Sequence, residues 1–259
     1  MRALPPVGIL SALVLVWEWQ VQAGDVPRTV LAPPSAVLAR IVGQPGLFID
    51  NAATTILEVA LGFAIGTALG IAIAVGITFV PLIGRTLHPL IVASQVIPTF
   101  ALAPLLVLWL GFGLEPKVII IVIGVFFPIA INLVEGFRSV DQGMVALMNT
   151  YRASRWQVLR WVSFPAALPY LFAALQLAAT YSVLGAVFVE WFGAFKGLGK
   201  LTLVGQTRRQ TDLMLAAVLL ITVLAISLFV AVRATGRLAM PWRRVEEGTT
   251  LIRPEGGAP

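Results

Sequence analysis

Three glutamates, Glu18, Glu58 and Glu190, sit inside stretches that are otherwise apolar. A carboxylate in such a place is costly unless something uses it, which makes each a functional suspect. Glu18 lies between Trp17 and Trp19, from where its stem can carry the charge to water. Glu58 lies a turn or two inside its stretch, and Glu190 ends its own beside Trp191. For these two, two readings stand side by side: lining a solute route, or pairing with a nearby cation such as Lys117 or Lys196. Gln95, Thr99 and Tyr181 are further candidate solute contacts, with interhelical hydrogen bonding as the alternative. Covalent chemistry has little to work with. The sequence has no cysteine and one histidine, His88, and offers no Ser-His-Asp set or catalytic carboxylate pair. A metal site and a catalytic residue are therefore not expected. The glycine-rich run Ala194-Phe-Lys-Gly-Leu-Gly-Lys-Leu201 has a phosphate-loop look but lacks the leading glycine and the closing Ser/Thr. No nucleotide site or cofactor is expected on this chain.

The elements holding these residues belong to lipid rather than water. Of 259 residues, 59% are hydrophobic and 12% charged, against about half and a quarter in soluble domains. Six stretches have the length and apolar character to cross a bilayer: Pro5–Gln22, Ala53–Val80, Leu90–Leu110, Val118–Glu135, Leu168–Val189 and Leu213–Val232. The fold class expected is all-α, a polytopic membrane protein with about six transmembrane helices in a single domain over residues 1–259. A short interfacial helix is expected at Ser35–Val42. The first stretch also has the outline of a secretory signal, but Trp17-Glu18-Trp19 fits the end of a span at headgroup level better than a cleavage site.

The net charge, 18 − 12 = +6, comes from basic residues gathered in the connectors, which sets orientation instead of marking a nucleic-acid partner. With both termini on one side, that side holds eleven Lys and Arg and the other seven, which together make the 18 of the chain. The richer side is expected to be cytoplasmic. The second stretch carries Gly62, Gly66, Gly70 and Ala74, a ridge of small residues for close helix approach, either within the chain or between subunits. The third holds Pro98 and Pro104, whose missing backbone donors bend a helix.

The connector from Phe137 to about Leu168 is longer than two antiparallel helices need. Its middle, Asn149 to Trp161, reads as one helix, with Tyr151, Val158, Trp161 and Val162 as an apolar stripe and Arg152, Arg155 and Arg160 pointing elsewhere. Pro165 and Pro169 then punctuate the return to the membrane. The residues leave two roles open: a basic helix lying on anionic lipid, or a docking helix with arginine and aromatic anchors for a cytoplasmic protein.

The stretch Asn149–Tyr170, NTYRASRWQVLRWVSFPAALPY, resembles the cytoplasmic coupling loop of ABC importer permeases. Ala32-Pro-Pro-Ser-Ala-Val-Leu, Ile97-Pro-Thr-Phe-Ala-Leu-Ala-Pro-Leu-Leu, Trp109-Leu-Gly-Phe-Gly, Val189-Glu-Trp and Gly197-Leu-Gly are similar to segments of the nitrate/sulfonate/taurine permease group. The run Thr180 to Trp191 is most similar to permeases for thiamine pyrimidine precursors or riboflavin. Two features depart from the pattern. Where the family loop opens Glu-Ala-Ala, three residues, then Gly, this chain has Ala146, Leu147, Met148 and Arg152.

The resemblance implies a permease subunit of the bacterial inner membrane, forming a homodimer with two ATP-binding subunits and an external solute-binding protein. Tyr151, Arg152, Ala153, Ser154, Arg155, Trp156 and Arg160 would couple to the ATPase, and ATP would be bound by the partner. A symmetric pair of such chains would line the route with unpaired carboxylates, which favours a neutral or cationic heterocycle over nitrate, sulfonate or bicarbonate; nitrate, sulfonate or taurine is the other substrate class that the resemblance implies. A stand-alone secondary carrier or channel, and a lipid-binding scaffold, are the competing classes. The absence of a repeat of the first half in the second weighs against the carrier. The tail, about 233–259, is expected to be a cytoplasmic extension.

Overall fold

The structure, a computed structural model, describes residues 4–24, 26–27, 29–80, 84, 86, 91, 93 and 98–242. Every regular element among them is a helix. In chain order these are α1 (Leu4–Gln22), α2 (Pro34–Gly43), α3 (Pro45–Phe79), α4 (Thr99–Leu110, opening with a 3-10 turn), α5 (Glu115–Arg138), α6 (Gln142–Thr150), α7 (Arg155–Gly193), α8 (Leu198–Thr207) and α9 (Thr211–Ala239). Helix is what a chain in hydrocarbon must form, because each backbone donor then finds its acceptor within the same segment.

Four helices, α3, α5, α7 and α9, are long and apolar enough to cross a membrane. At 35 residues, α3 is about 52 Å long and outreaches the hydrocarbon. The 19-residue α1 and the shorter apolar α2 and α4 complete the apolar set. Most of the third expected span before Pro98, with Gln95 and His88, lies outside the described residues. The last span continues past the expected end at Val232 to Ala239, so the first part of the expected tail is helical. Residues 243–259 lie outside the described residues.

Each long helix gives one part to each of two compact units. The first draws on the described parts of residues 1–65, 98–124 and 181–226. Its core joins Ala32, Val37, Phe48, Leu198, Leu201, Leu213, Ala216 and Ala217, with a second cluster of Ala103, Val107, Ile120 and Val189. The second draws on residues 66–97, 125–180 and 227–259, with Phe79 edge-on to Phe137 (6.1 Å) and Gly236 against the ring of Phe172.

The small-residue ridge is used within the chain. A Cβ on Gly62 would meet Ile121 Cγ2 at 2.4 Å in the first unit, and one on Gly70 would meet Ile129 Cγ2 at 2.8 Å in the second. The fully buried Ile121 and Ile129 of α5 occupy the space that these glycines of α3 leave open.

Candidate functional site

The long connector is a helix, a sharp turn and the start of a much longer helix. Asp141 begins it by accepting from the backbone N–H of Gly143 (2.7 Å), which caps α6. Nine-residue α6, Gln-Gly-Met-Val-Ala-Leu-Met-Asn-Thr, carries no charge and buries none of its residues. Leu147 is 53% exposed. A helix this short has little stability of its own, so its exposed apolar face is a surface waiting for cover.

The end of α6 corrects the sequence reading, which ran one helix from Asn149 to Trp161. Arg152 N–H donates to Asn149 O (2.9 Å) and Ala153 N–H to Met148 O (3.0 Å). This is the double closure of a Schellman turn, with Arg152 at φ 56. A side chain in that left-handed position costs about 1–2 kcal/mol, which is why glycine usually holds it. The glycine of the family loop thus has a backbone reason, and Arg152 stands at the position that needs it.

Ser154 then starts α7 as an N-cap. Its hydroxyl accepts from Gln157 N–H (3.3 Å), and the Gln157 side chain accepts from Ser154 N–H (2.7 Å), a reciprocal capping box. A π turn at Leu159–Ser163 follows, with Phe164 N–H donating to Leu159 O. The helix runs on through Pro165, just past the wider turn, and holds Pro169 in its interior, so neither proline ends it.

The expected apolar stripe also divides. Val158 is buried and Val162 half-buried, whereas Tyr151 (78%), Trp156 (65%) and Trp161 (67%) are exposed. The Arg160 guanidinium lies over the Trp161 ring, 5.6 Å from its centroid. Of the seven expected coupling residues only Ala153 is half-buried; Tyr151, Arg152, Ser154, Arg155, Trp156 and Arg160 are all exposed.

In the first unit, Glu58 and Glu190 are both fully buried. Lys117 Nζ, itself almost wholly buried, lies 2.5 Å from Glu58 Oε1. Glu190 meets no cation among the described residues. Its Oε1 accepts from Thr55 Oγ1 (2.6 Å) and its Oε2 from the backbone N–H of Gly199 (2.5 Å). Thr55 Oγ1 in turn accepts from Leu198 N–H (2.9 Å), and Asn51 Oδ1 from Gly197 N–H (2.8 Å). Three side chains from α3 and α7 therefore satisfy the first backbone donors of α8, whose own N-cap residue, Gly197, has no side chain to do it.

The glycine-rich run seen in the sequence closes onto this carboxylate. A Cβ on Gly197, at φ 141, would lie 2.2 Å from Glu190 Cδ, and one on Gly199 would lie 2.7 Å from Oε2. Glu18 works in the same way on α2. It accepts from Ser35 N–H (3.0 Å) and Ser35 Oγ (2.6 Å), as well as from the Gln22 amide. Two of the three suspect glutamates thus accept from the backbone N–H of the second residue of a short helix, Ser35 in α2 and Gly199 in α8.

These contacts correct one step of the sequence argument. Lys117 pairs Glu58 and so removes one of the two carboxylates from the expected unpaired lining, whereas Glu190 has no cation among the described residues. Among the other pathway candidates, Thr99 is half-buried at the start of α4 and Tyr181 is 38% exposed on α7. Gln95 lies outside the described residues. Next to Thr99, Phe100 stacks on Phe188 (4.9 Å, 11° between planes), which abuts Trp191 (5.3 Å). Asn51 and Thr55, which the sequence reading did not single out, sit one turn apart on α3 facing the start of α8.

The comparisons with known proteins follow this geometry. Residues 66–240 match the family model described as "Binding-protein-dependent transport system inner membrane component". A probable ABC transporter permease protein of Haemophilus influenzae is 34% identical over 89% of this chain and 94% of its own. The formylaminopyrimidine transport permease protein ThiX of Halalkalibacterium halodurans is 30% identical over 94% and 97%. The riboflavin transport system permease protein RibX of Chloroflexus aurantiacus is 33% identical over 92% and 91%. Among solved structures, an amino acid ABC transporter crystallised with histidines aligns with a TM-score of 0.63 at 19% identity, covering 77% of this chain and 97% of that one, a likeness of fold alone. The chain belongs to the binding-protein-dependent transport system inner membrane component family, the membrane permeases of ABC transporters.

Proposed function

We propose that this protein forms the solute pathway of an ATP-driven importer and takes its drive from a separate ATP-hydrolysing subunit that grips α6 and the turn after it. The observation that carries this reading is α6 itself: an uncharged helix, exposed on every turn, bordered by Tyr151, Trp156 and Trp161 and by three arginines. Aromatic and arginine side chains around an apolar centre are the usual makings of a protein interface. No ATP is held by this chain. The glycine-rich N-terminus of α8, the nearest thing to a phosphate cradle, takes the carboxylate of Glu190.

In this reading two copies of the chain pair in the inner membrane, with both termini and α6 in the cytoplasm, and a solute-binding protein delivers from outside. The residues offered to the solute are Thr99, which adjoins the Phe100–Phe188 stack, and Tyr181; Gln95, outside the described residues, is a further candidate. Glu58 and Glu190 bound the same route and hold its helices in place. The solute is a small heterocycle, such as a thiamine pyrimidine precursor or riboflavin, in line with the ThiX and RibX likenesses. A sulfonate or taurine is the second reading, and the neutralised Glu58–Lys117 pair favours it.

Co-purification tests the assignment: the tagged chain, extracted in mild detergent, brings an ATP-hydrolysing subunit with it. Uptake by the reconstituted complex then requires ATP and saturates with formylaminopyrimidine or riboflavin. Purified chain that moves solute alone, on an ion gradient, contradicts the proposal. ATP-dependent uptake of taurine and of neither heterocycle reassigns the solute only.

A further inference from the structure

We infer that the partner surface receiving α6 is acidic, and that Arg152, held in a left-handed backbone position, is the cation that selects it. The inference rests on the coupling reading above and adds the chemistry of the partner.

Arg152 has a role in its own fold. Its backbone sits at φ 56 and closes α6. Glycine would do this without strain. Among the described residues the Arg152 guanidinium has no ion-pair or hydrogen-bond partner, and the side chain is exposed. The residue therefore strains the turn without an internal contact that repays it. A binding role outside the chain accounts for the choice.

The surroundings give the sign of the partner. Between Ser139 and Ser163 the charged residues are Asp141, Arg152, Arg155 and Arg160. Asp141 is engaged at the N-terminus of α6, where its carboxylate accepts from Gly143 N–H. The α6 helix is itself uncharged. The exposed surface around its C-terminal end therefore carries three arginines, Arg160 over Trp161 and the other two without an anion among the described residues. The helix C-terminus adds negative partial charge beneath Arg152, which steadies that cation without consuming its donors. An apolar helix bordered by exposed guanidiniums is complementary to a groove with an apolar floor and carboxylates at its rim. Anionic lipid would satisfy the arginines, but a membrane offers no reason for a strained cation at one fixed point of a turn.

The test compares Arg152→Gly and Arg152→Glu with the wild-type full-length chain, using the ATP-hydrolysing subunit that co-purifies with the tagged wild type. Purified permease in nanodiscs made only of zwitterionic lipid is titrated with that subunit at about 50 mM and 500 mM salt, since exposed charge pairs are screened over this range. The wild type binds more weakly at high salt. Arg152→Gly, which relaxes the turn and is folded at least as well by thermal melt, binds several-fold more weakly at low salt with a shallower salt dependence. Arg152→Glu weakens binding by about tenfold or more. Wild-type affinity in both variants overturns the inference, and so does wild-type binding that salt does not touch. A deficit seen only in nanodiscs containing anionic lipid gives the arginines to the membrane and also overturns it. In each of these cases the wild type still binds the subunit and the coupling reading stands. A wild-type chain that binds no ATP-hydrolysing subunit at either salt removes both.

Discussion

At the scale of single residues, the buried Glu58–Lys117 pair and the strained Arg152 make opposite predictions. Lys117→Met leaves the Glu58 carboxylate buried without its cation, a change that typically costs about 3–5 kcal/mol. The melting temperature in detergent should fall steeply, and Lys117→Met with Glu58→Leu should recover most of the loss. A single substitution that melts like wild type would mean that the pair carries no stability. Arg152→Gly should instead stabilise the fold by about 1 kcal/mol, because it removes a Cβ from a left-handed turn. Thermal melting of the isolated permease reads both changes.

These residues also show where sequence reasoning stopped. A cost attaches to Glu58 and Glu190 as the sequence suggests: both are buried, Glu190 has a partner on each oxygen, and Glu58 has Lys117 on Oε1 but nothing on Oε2 among the described residues. Lys117 was nameable as a partner for Glu58. The partners of Glu190 were not, because Thr55 lies 135 residues away and the other donor is a backbone amide. No side-chain pattern advertises a main-chain N–H.

At the scale of elements, helix ends decide the architecture of the connector. The apolar runs were legible because hydrocarbon imposes a length on them, and α3, α5, α7 and α9 lie where four of the six were expected. The break between α6 and α7 was missed although Ser154 and Gln157 stand three apart, the spacing of a capping box. The arginine and tryptophan content suggests a side-chain stripe, while the backbone signal lies in Ser154. Pro165 and Pro169 punctuate the return to the membrane in the sequence, yet the helix continues through both, and the π turn just before Pro165 leaves no mark in the sequence.

The glycine contacts give a prediction at the same scale. Gly62→Leu should separate α3 from α5, since even a Cβ would lie 2.4 Å from Ile121. It should lower expression and melting temperature, whereas Gly124→Ala, where a Cβ meets nothing within 4 Å, should leave both near wild type. Gly197→Ala should displace Glu190 from the start of α8 and impair transport more than it impairs co-purification of the ATPase. Equal behaviour of Gly62→Leu and Gly124→Ala in the melt would show that the ridge is not a packing surface.

At the scale of the whole molecule, the account is of a membrane permease worked from outside itself. The family membership and the apolar helices place it in the inner membrane. What the chain shows for its drive is a surface, α6 with its aromatic and arginine border. The chain contains no cysteine, so a single introduced thiol reports on that surface without background. The most direct measurement is therefore Leu147→Cys in cells carrying the full transporter. The account predicts that this thiol resists a membrane-impermeant reagent added outside intact cells and, with a bifunctional thiol-reactive cross-linker, joins to an ATP-hydrolysing subunit. Labelling from outside, or a thiol reached from the cytoplasm that cross-links to no such subunit, would contradict it.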